Sequence, residues 1–384
     1  MNKIIYMDNH ATTPIPPEVL NAMLPYLTTH FGNAASTHKF GIVAKDAIDK
    51  ARQQVSNLLG CSPKAIIFTS GATESNNLAI RGTAYANKDK GNHIITSTAE
   101  HHAVLDTCHA LENEGFEITY LPVDKYGMVN PDDIKNAITQ KTILMSYMYA
   151  NNEVGTINPI RDIANIAAEH NVLFHSDAVQ GIGKLESNME VLGLDMASIT
   201  AHKINGPKGI GALYIRDGKC IAPLFYGGGQ EDGIRPGTLN VAGIVGLGAA
   251  CEVCQIAMEK KTEENLVAPL RDSLHQKLTS KLTDIHLNGH PEKRLSGNLN
   301  LCFAGVQSHS LLMRLKSVAV STGSACDSES IKASHVLVAM GVAKELAVTA
   351  VRFGIGRYNT PEEVDIVAEE VIKTVNWIRS LAPE

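Results

Sequence analysis

Short apolar runs alternate along this chain with longer stretches whose apolar residues recur at helical spacing. The strand-type runs lie near residues 66–69, 94–97, 118–123, 143–149, 172–174 and 211–216, with a further strand ending near Thr200. Four helical patterns lie between them, one that begins at residue 74 and three near residues 103–113, 131–138 and 160–169. Repeated strand and helix units predict an α/β protein with a mainly parallel sheet and helices on both faces. The strand at 211–216 is expected to be antiparallel if it pairs with its neighbour along the chain.

The two ends of the chain show a different arrangement. A short strand near residues 4–7 precedes helices near 17–27 and 41–59, and a long helix is expected from the turn-rich segment 226–240 to about residue 258. The elements expected later are a helix from about 263, strands near 299–303 and 318–320, and a helix near 310–315. A loop, a further helix, a strand through 351–353 and a final helix from 361 complete the chain. We therefore predict a large domain of residues 14–260 and a smaller α+β domain formed by residues 1–13 and 261–384.

Composition narrows the class of protein. The chain has 384 residues, of which 44% are hydrophobic, and its formal net charge is −6. This favours a large globular core and gives no support for nucleic acid or a membrane surface as a partner. The apolar stretch 241–251 is too short to span a bilayer and the N-terminus lacks a signal peptide, so we expect a soluble cytoplasmic protein. Seven widely spread cysteines indicate reduced thiols.

A small-residue turn follows the strand at 66–69. Ser70, Gly71, Ala72 and Thr73 lead into a helix, which places backbone N–H groups at a helix N-terminus. Such a geometry suits one phosphate group, and neither a dinucleotide fingerprint nor a Walker loop is present. The alternative is an ordinary turn in which Thr73 caps the helix.

An acid and an amine follow two later strands. Asp177 comes after the strand near 172–174, and Lys203 follows the strand that ends near Thr200 and precedes a Gly/Pro-rich segment. Ligands bind at the carboxyl ends of strands in open α/β sheets. A partly desolvated lysine can react with a carbonyl, and an aspartate can keep a pyridinium nitrogen protonated, which is how proteins hold pyridoxal 5′-phosphate (PLP). Taken singly, the aspartate is more often a turn former and the lysine a surface charge.

Histidines and paired cysteines give no metal signal. Cys251 and Cys254 form a CxxC motif, but it lies within an apolar helical run and has no second pair, so we interpret both as core residues. Several histidines lie near predicted turns without HExxH or another ligand spacing. We therefore expect no metal site.

Seven motifs occur in an order that resembles one known family. They are TSGATESNN, EHHAV, ANNEVGT, HSDAVQ, AHKINGPKG, GIRPGTLN and STGSAC, between DNHATTP near the start and RFGIGRYNTPEEVD near the end. The chain resembles the PLP-dependent cysteine desulfurases of the NifS/IscS-like group, within the fold-type I, class V aminotransferase superfamily. The resemblance spans nearly the whole chain, and the set of motifs is far more specific than any single one.

The resemblance implies a role for individual residues. Lys203 would bind the cofactor covalently, Asp177 would pair with the pyridine nitrogen, and Gln180, beside Asn152, would contact the ring hydroxyl. The phosphate would be bound by Ala72, Thr73, Thr200 and His202, and by Thr238 of a second protomer. His101 would stack on the ring and take part in proton transfer, and Arg352 with Asn33 would bind the substrate carboxylate.

Cys326 would accept sulfur according to the same resemblance. It lies in a run of small and polar residues, which predicts an exposed mobile loop at about 321–333 that could carry sulfur to an acceptor. A transient iron–sulfur ligand role for Cys326 is left open.

The implied function is conversion of L-cysteine to L-alanine by a homodimer, with a persulfide on Cys326 that supplies sulfur for iron–sulfur cluster assembly or thiolation through an acceptor scaffold protein. One alternative is another enzyme of the same fold, such as a selenocysteine lyase or an aminotransferase. The other is a scaffold protein that keeps the fold without turnover.

The sequence departs from the family pattern at a few loop positions. His10 stands where Asn or Ala is usual, GNAAS replaces GNPSS, VQSHS replaces a segment that usually carries Glu, and GIRPG replaces a more basic version. These changes affect loops and partner choice, and they leave the lysine, the aspartate and the cysteine in place.

Overall fold

The computed structural model describes residues 4–322 and 333–381. Cys326 and most of the loop predicted around it lie outside the described residues. The strands are β1 (Ile5–Tyr6), β2 (Ile66–Thr69), β3 (His93–Ser97), β4 (Glu117–Leu121), β5 (Thr142–Ser146), β6 (Leu173–Asp177), β7 (Met196–Thr200), β8 (Gly211–Ile215), β9 (Ile285–Asn288), β10 (Asn298–Phe303), β11 (Val318–Ala319) and β12 (Ala350–Gly354).

Most helices begin and end close to the predicted positions. The four-residue helix Met189–Leu192 was not predicted, and two short helices, His335–Ala339 and Lys344–Ala347, lie where one was expected. The helices are α1 (Pro17–Thr28), α2 (Lys39–Leu59), α3 (Ala72–Ala86), α4 (His102–Glu112), α5 (Pro131–Ala137), α6 (Ile160–Glu169), α7 (Met189–Leu192), α8 (Val241–Glu259), α9 (Ala268–Thr279), α10 (Ser308–Arg314), α11 (His335–Ala339), α12 (Lys344–Ala347) and α13 (Pro361–Ser380). Three 3₁₀ turns lie at Pro63–Ala65, Ala201–Lys203 and Gln230–Gly233, and a π-helical turn at Glu263–Val267 leads into α9.

A seven-stranded sheet forms the centre of the larger part of the molecule. Its strand order is β2-β8-β7-β6-β5-β3-β4. Strand β8 is antiparallel to both of its neighbours, and the other pairs are parallel. The expectation of an antiparallel pairing between β8 and the strand before it is confirmed. The α/β architecture with a mainly parallel sheet is thereby confirmed.

Both faces of this sheet are covered by helices. Successive strand residues point to opposite faces, so Phe68 joins a core with α1, α2, α6 and α8, whereas Ile67 joins a second core with α3 and α4. Strands covered on both sides need apolar residues at nearly every position, which explains why their runs are continuous rather than alternating.

Helix α8 packs in the core beside the large sheet and is strongly apolar. By length and composition it is the one helix of the described residues that could cross a membrane, and half of its most apolar window is buried inside the protein. The helix is longer than the apolar stretch 241–251 because it continues to Glu259. Cys251 and Cys254 are fully buried in it, which confirms their prediction as core residues.

A smaller three-stranded antiparallel sheet, in the order β12-β10-β9, contains the elements of the C-terminal region. It packs with α9 and α13 in a separate hydrophobic cluster, which Ile5 and Met7 of the N-terminus join. We propose the division into residues 14–260 and residues 1–13 with 261–384 on this basis. Strand β9 was not predicted, because its four residues give too short an alternating pattern beside the turn-rich segment that follows.

Two boundaries differ from the prediction at positions that matter for the site. Strand β6 continues through Asp177, because His175 bonds to Ser146 and Ser198 on the neighbouring strands, each at 2.9 Å. Burial lowers the pKa of His175 to about 3, so the ring is a neutral bridge within the sheet. Helix α3 begins at Ala72 rather than residue 74, so Ala72 and Thr73 belong to its first turn.

A buried ion pair joins the edge strand β2 to the turn at Gln230–Gly233. Glu231 is 8% exposed, and its carboxylate accepts hydrogen bonds from Arg52 at 2.6 and 3.1 Å and from the Phe68 backbone N–H at 2.8 Å. We expect Glu231→Gln to lower the free energy of unfolding by about 3 kcal/mol, because it leaves the Arg52 charge without its partner. Urea unfolding followed by circular dichroism measures the loss.

The control for this prediction is Asp49→Asn, which removes an exposed ion pair with Lys45 on α2. Solvent screens that pair, so its loss should change stability little. Equal unfolding midpoints for Glu231→Gln and the unmodified protein would contradict the role assigned to Glu231.

Candidate active site

A cavity of about 540 Å³ opens at the carboxyl ends of β6 and β7. The predicted site residues that line it are Ala72, Thr73, His101, Asn152, Asp177, Gln180, Thr200, His202, Lys203 and Arg352. Asn33 and Thr238 are exposed and do not line this cavity in the single chain, and Cys326 lies outside the described residues. Their roles stay predictions.

Lys203 is held at the end of the 3₁₀ turn that follows β7. Its ammonium group donates hydrogen bonds to the backbone carbonyls of His10 at 2.5 Å and Ala11 at 2.8 Å. Burial lowers the pKa of Lys203 to about 7, and the nearby Arg352 and Lys184 charges act in the same direction, against Asp8 and Asp177. A substantial fraction of this amine is therefore neutral and nucleophilic near neutral pH.

Asp177 ends β6 beside that lysine, since β6 and β7 are parallel neighbours. One carboxylate oxygen accepts a hydrogen bond from the Asn76 side chain at 2.8 Å, and the other accepts from the Val179 backbone N–H at 3.2 Å. These bonds fix the carboxylate at the cavity wall, where it is 7% exposed. An acceptor in this position can neutralise a protonated ring nitrogen.

The N-terminus of α3 offers unsatisfied donors to an anion. Its N-cap residue is Gly71, which has no side chain to accept from the first-turn N–H groups, and the helix is 15 residues long. Among the described residues, Thr200 Oγ1 is the one atom within 4 Å of the position that a Cβ on Gly71 would take. The turn therefore leaves room for a phosphate beside the hydroxyl of Thr200.

Three charged side chains, Glu74, Arg235 and Lys208, set the charge around this anion site. Glu74 lies in the first turn, but its carboxylate is paired with Arg235 at 2.7 Å and accepts from the Ser70 N–H at 2.7 Å. Its negative charge is thus compensated. Lys208 lines the same cavity and adds a positive charge.

His101 caps α4 on the cavity wall. Its Nδ1 accepts a hydrogen bond from the Ala103 backbone N–H at 3.0 Å, so Nε2 carries the proton of the neutral ring. Burial lowers the pKa of His101, although Asp177 opposes the shift. A neutral, fixed ring suits stacking and proton transfer.

Arg352 enters the cavity from strand β12 of the smaller sheet. It is 2% exposed, and its guanidinium donates to Asp8 at 2.9 Å and to the Asn152 carbonyl at 2.9 Å. Asp8 also accepts from the Ser321 hydroxyl at 2.9 Å. The arginine is therefore oriented before any substrate binds.

Several residues of this site are not among those predicted from the sequence. Asp8 orients Arg352, Asn76 orients Asp177, and Glu100 is fully buried behind the site. Glu100 accepts from Ser97 at 2.7 Å and from the Met148 N–H at 2.8 Å, and burial raises its pKa to about 8. Each lies within one of the family motifs, and this position is the feature of the sequence that could have identified it as a site residue.

PLP fits these residues on their own chemistry. The cavity joins a reactive amine, a fixed carboxylate and a helix N-terminus without a side-chain cap, which match the aldehyde, the ring nitrogen and the phosphate of the cofactor. The guanidinium of Arg352 adds a site for a carboxylate.

The comparisons with known proteins cover nearly the whole chain. A protein of Methanosarcina thermophila named cysteine desulfurase IscS is 51% identical over 384 residues, which is 100% of this chain and 94% of that protein. A protein of the same name from Dictyoglomus turgidum is 48% identical over 385 residues, covering 100% of this chain and 97% of the relative.

Solved structures give the same result. One described as a NifS-like protein has a TM-score of 0.91 and 38% identity, and the match covers 97% of this chain and 100% of that one. Another, described as SspA in complex with cysteine, has a TM-score of 0.82 and 36% identity, and covers 93% of this chain and 100% of the other. The resemblance stated from the motifs is confirmed.

The family profile described as aminotransferase class-V matches residues 5–367. The chain therefore belongs to the aminotransferase class-V family of PLP-dependent enzymes, among its NifS-like and IscS-like members.

Proposed function

We propose that this chain is a cysteine desulfurase that converts L-cysteine to L-alanine and takes the sulfur as a persulfide on Cys326. The observation that supports this most is that Lys203, Asp177 and Arg352 line one cavity, in a chain about half identical to relatives named cysteine desulfurase. The atoms balance without an oxidant, since cysteine and a thiol yield alanine and a persulfide. The sulfur would supply iron–sulfur cluster assembly or thiolation.

Each residue of the cavity has a role in the reaction that follows from its position. PLP supplies an electron sink that makes the Cα proton of a bound amino acid removable. Asp177 holds the proton of the ring nitrogen, and the first turn of α3 with Thr200 and His202 binds the phosphate. The neutral amine of Lys203 removes and returns protons at Cα, with His101 beside it.

Arg352 determines which substrates fit. Its guanidinium can bind an α-carboxylate through two charge-assisted hydrogen bonds, which orients the side chain of a bound amino acid within the cavity. Asn33 would assist it.

The thiolate of Cys326 attacks the sulfur of the substrate, the Cβ–S bond breaks, and the electron pair stays on the alanine fragment until protonation.

The wider setting is also a proposal. We infer a homodimer in which Thr238 of one protomer reaches the phosphate site of the other, a protein acceptor of the persulfide sulfur, and a cytoplasmic location. The exposed position of Thr238 in the single chain supports its contribution to a neighbouring protomer.

The reaction is tested by product analysis. The purified protein given L-cysteine should form alanine, with sulfide released when a reductant is present. Cys326→Ser should keep the visible absorption of the bound cofactor and lose alanine formation and persulfide to background, since the sulfur has no acceptor. The matched control is Cys220→Ser, an exposed cysteine, which should behave like the unmodified protein.

Accumulation of a keto acid instead of alanine would favour an aminotransferase. Full turnover by Cys326→Ser would remove Cys326 from the mechanism, and absence of a visible band after reconstitution would favour a protein without turnover.

The pKa of Lys203 predicts how the apo-protein takes up PLP. An ammonium cannot attack an aldehyde, so the uptake rate should rise about tenfold per pH unit below pH 7 and level off above it, because the pKa is lowered to about 7 by burial. Stopped-flow absorbance measures the rate. A rate that keeps rising towards pH 10 would indicate an ordinary exposed amine. Lys203→Ala should give no covalent adduct after borohydride reduction.

Asp8 is expected to set the affinity for the substrate carboxylate through Arg352. Asp8→Ala should raise the KM for cysteine about tenfold with a smaller effect on kcat, because a charge-assisted hydrogen bond that orients the guanidinium is lost. Asp8→Asn keeps an acceptor for Arg352 and should recover part of the loss. Unchanged KM in Asp8→Ala would show that Arg352 is oriented without Asp8.

A further inference from the structure

The side chain of Gln180 is held by two residues outside the predicted site set. Its Oε1 lies 3.1 Å from His10 Nδ1 and accepts from the Lys184 ammonium at 3.3 Å. Its Nε2 donates to the His10 backbone carbonyl at 3.1 Å. His10 and Gln180 are both buried, at 3% and 3% exposure. The amide therefore has contacts on both of its ends.

These contacts fix the direction of the amide. An ammonium can only donate, so the atom facing Lys184 is the amide oxygen, and a carbonyl can only accept, so the atom facing the His10 carbonyl is the amide nitrogen. Two independent contacts agree on this orientation. One N–H of Gln180 then remains for an acceptor in the cavity that Gln180 lines.

The same contacts fix the tautomer of His10. Since an amide oxygen accepts, Nδ1 of His10 must carry the proton and donate it to Gln180. Burial lowers the pKa of His10 well below its ordinary value, and the facing charges of Lys184, Arg352 and Lys203 act in the same direction. The ring is therefore neutral with a bare Nε2. Among the described residues Nε2 has no hydrogen-bond partner.

We propose that His10 is a positioning residue, which donates from Nδ1 to Gln180 so that the remaining amide N–H of Gln180 faces the ring oxygen of the cofactor. This inference rests on the proposed function. Without the His10 side chain, the amide keeps the Lys184 ammonium at 3.3 Å and the His10 backbone carbonyl at 3.1 Å, but it loses the shorter of the two contacts to its oxygen and can rotate more readily.

The physical consequence concerns the ionisation of the bound cofactor. An N–H donor stabilises the negatively charged form of the ring oxygen, whereas an amide oxygen in its place would repel it. Loss of the donor from His10 should therefore raise the pH midpoint at which the visible band of the cofactor-loaded protein changes.

The test uses two substitutions of different chemistry. His10→Phe keeps a ring of similar size but has no donor, and the midpoint of the visible pH titration should rise by roughly half to one pH unit. His10→Asn places an amide N–H near the former Nδ1 and should return the midpoint to within about 0.2 unit of the unmodified value. His109→Asn, the same change at an exposed histidine of α4, is the control.

A second readout needs no loaded enzyme. ¹⁵N-histidine NMR spectra of the apo-protein, with the His10 signal assigned by its loss in His10→Asn, should show a neutral ring protonated at Nδ1 across pH 6–8. A ring protonated at Nε2 would overturn the proposal, even if His10→Phe fails to load the cofactor.

Two outcomes of the titration would also overturn it. An unchanged midpoint in His10→Phe would show that the amide holds its direction without His10. An equal shift in His10→Phe and His10→Asn would show an effect of shape alone. A missing visible band in the unmodified protein would instead refute the proposed function, and the tautomer measurement would still stand.

Discussion

The desolvation of one amine is the constraint on which the rest of this structure depends. Lys203 loses water at the carboxyl edge of the sheet, and two backbone carbonyls from the N-terminal segment replace it. A buried ammonium without such partners would destabilise the fold, and one with too many would never become neutral. The site keeps the amine between these limits by placing cations and carboxylates around it at the same time.

Buried polar groups elsewhere in the site are arranged in pairs by a similar logic. Asp177 is held by Asn76, and Arg352 by Asp8. Each functional group touches the cavity with one part and is fixed by a neighbour with another. Preorganisation of this kind lowers the entropy that would otherwise be lost when a ligand binds. Because these charges lie close together, replacing any one charged residue also changes the electrostatic environment of its neighbours.

The sequence predicted most of the sheet because its strands are continuous apolar runs that are buried on both faces. Strand β2 was predicted with its observed ends, and the antiparallel direction of β8 follows from the short connection before it. Strand β9 and the extension of β6 through Asp177 were missed, because the first is short and the second consists of polar residues. Polar residues enter a buried strand only when partners on neighbouring strands satisfy them, and that is a tertiary property.

The candidate site was predictable to a similar degree. Lys203 and Asp177 follow strands, so their meeting at one edge follows from a parallel sheet. Asp8 and His10 could not be placed in this way, because their contacts with Arg352 and Gln180 span 344 and 170 residues of the sequence. Motif likeness suggested the roles of Arg352 and His101, while the contacts that orient them came from the fold. Cys326 lies beyond what the structure describes.

The position of the N-terminal segment has a consequence for synthesis on the ribosome. Ile5 and Tyr6 pair with Val318 and Ala319, and Asp8 bridges to Gly354, so residues 5–8 find their places only after almost the entire chain has been translated. The two carbonyls that hold Lys203 follow directly in that segment. The large sheet can therefore assemble during translation. The hydrogen bonds from Lys203 to the carbonyls of His10 and Ala11 can form only after the C-terminal strands have emerged from the exit tunnel.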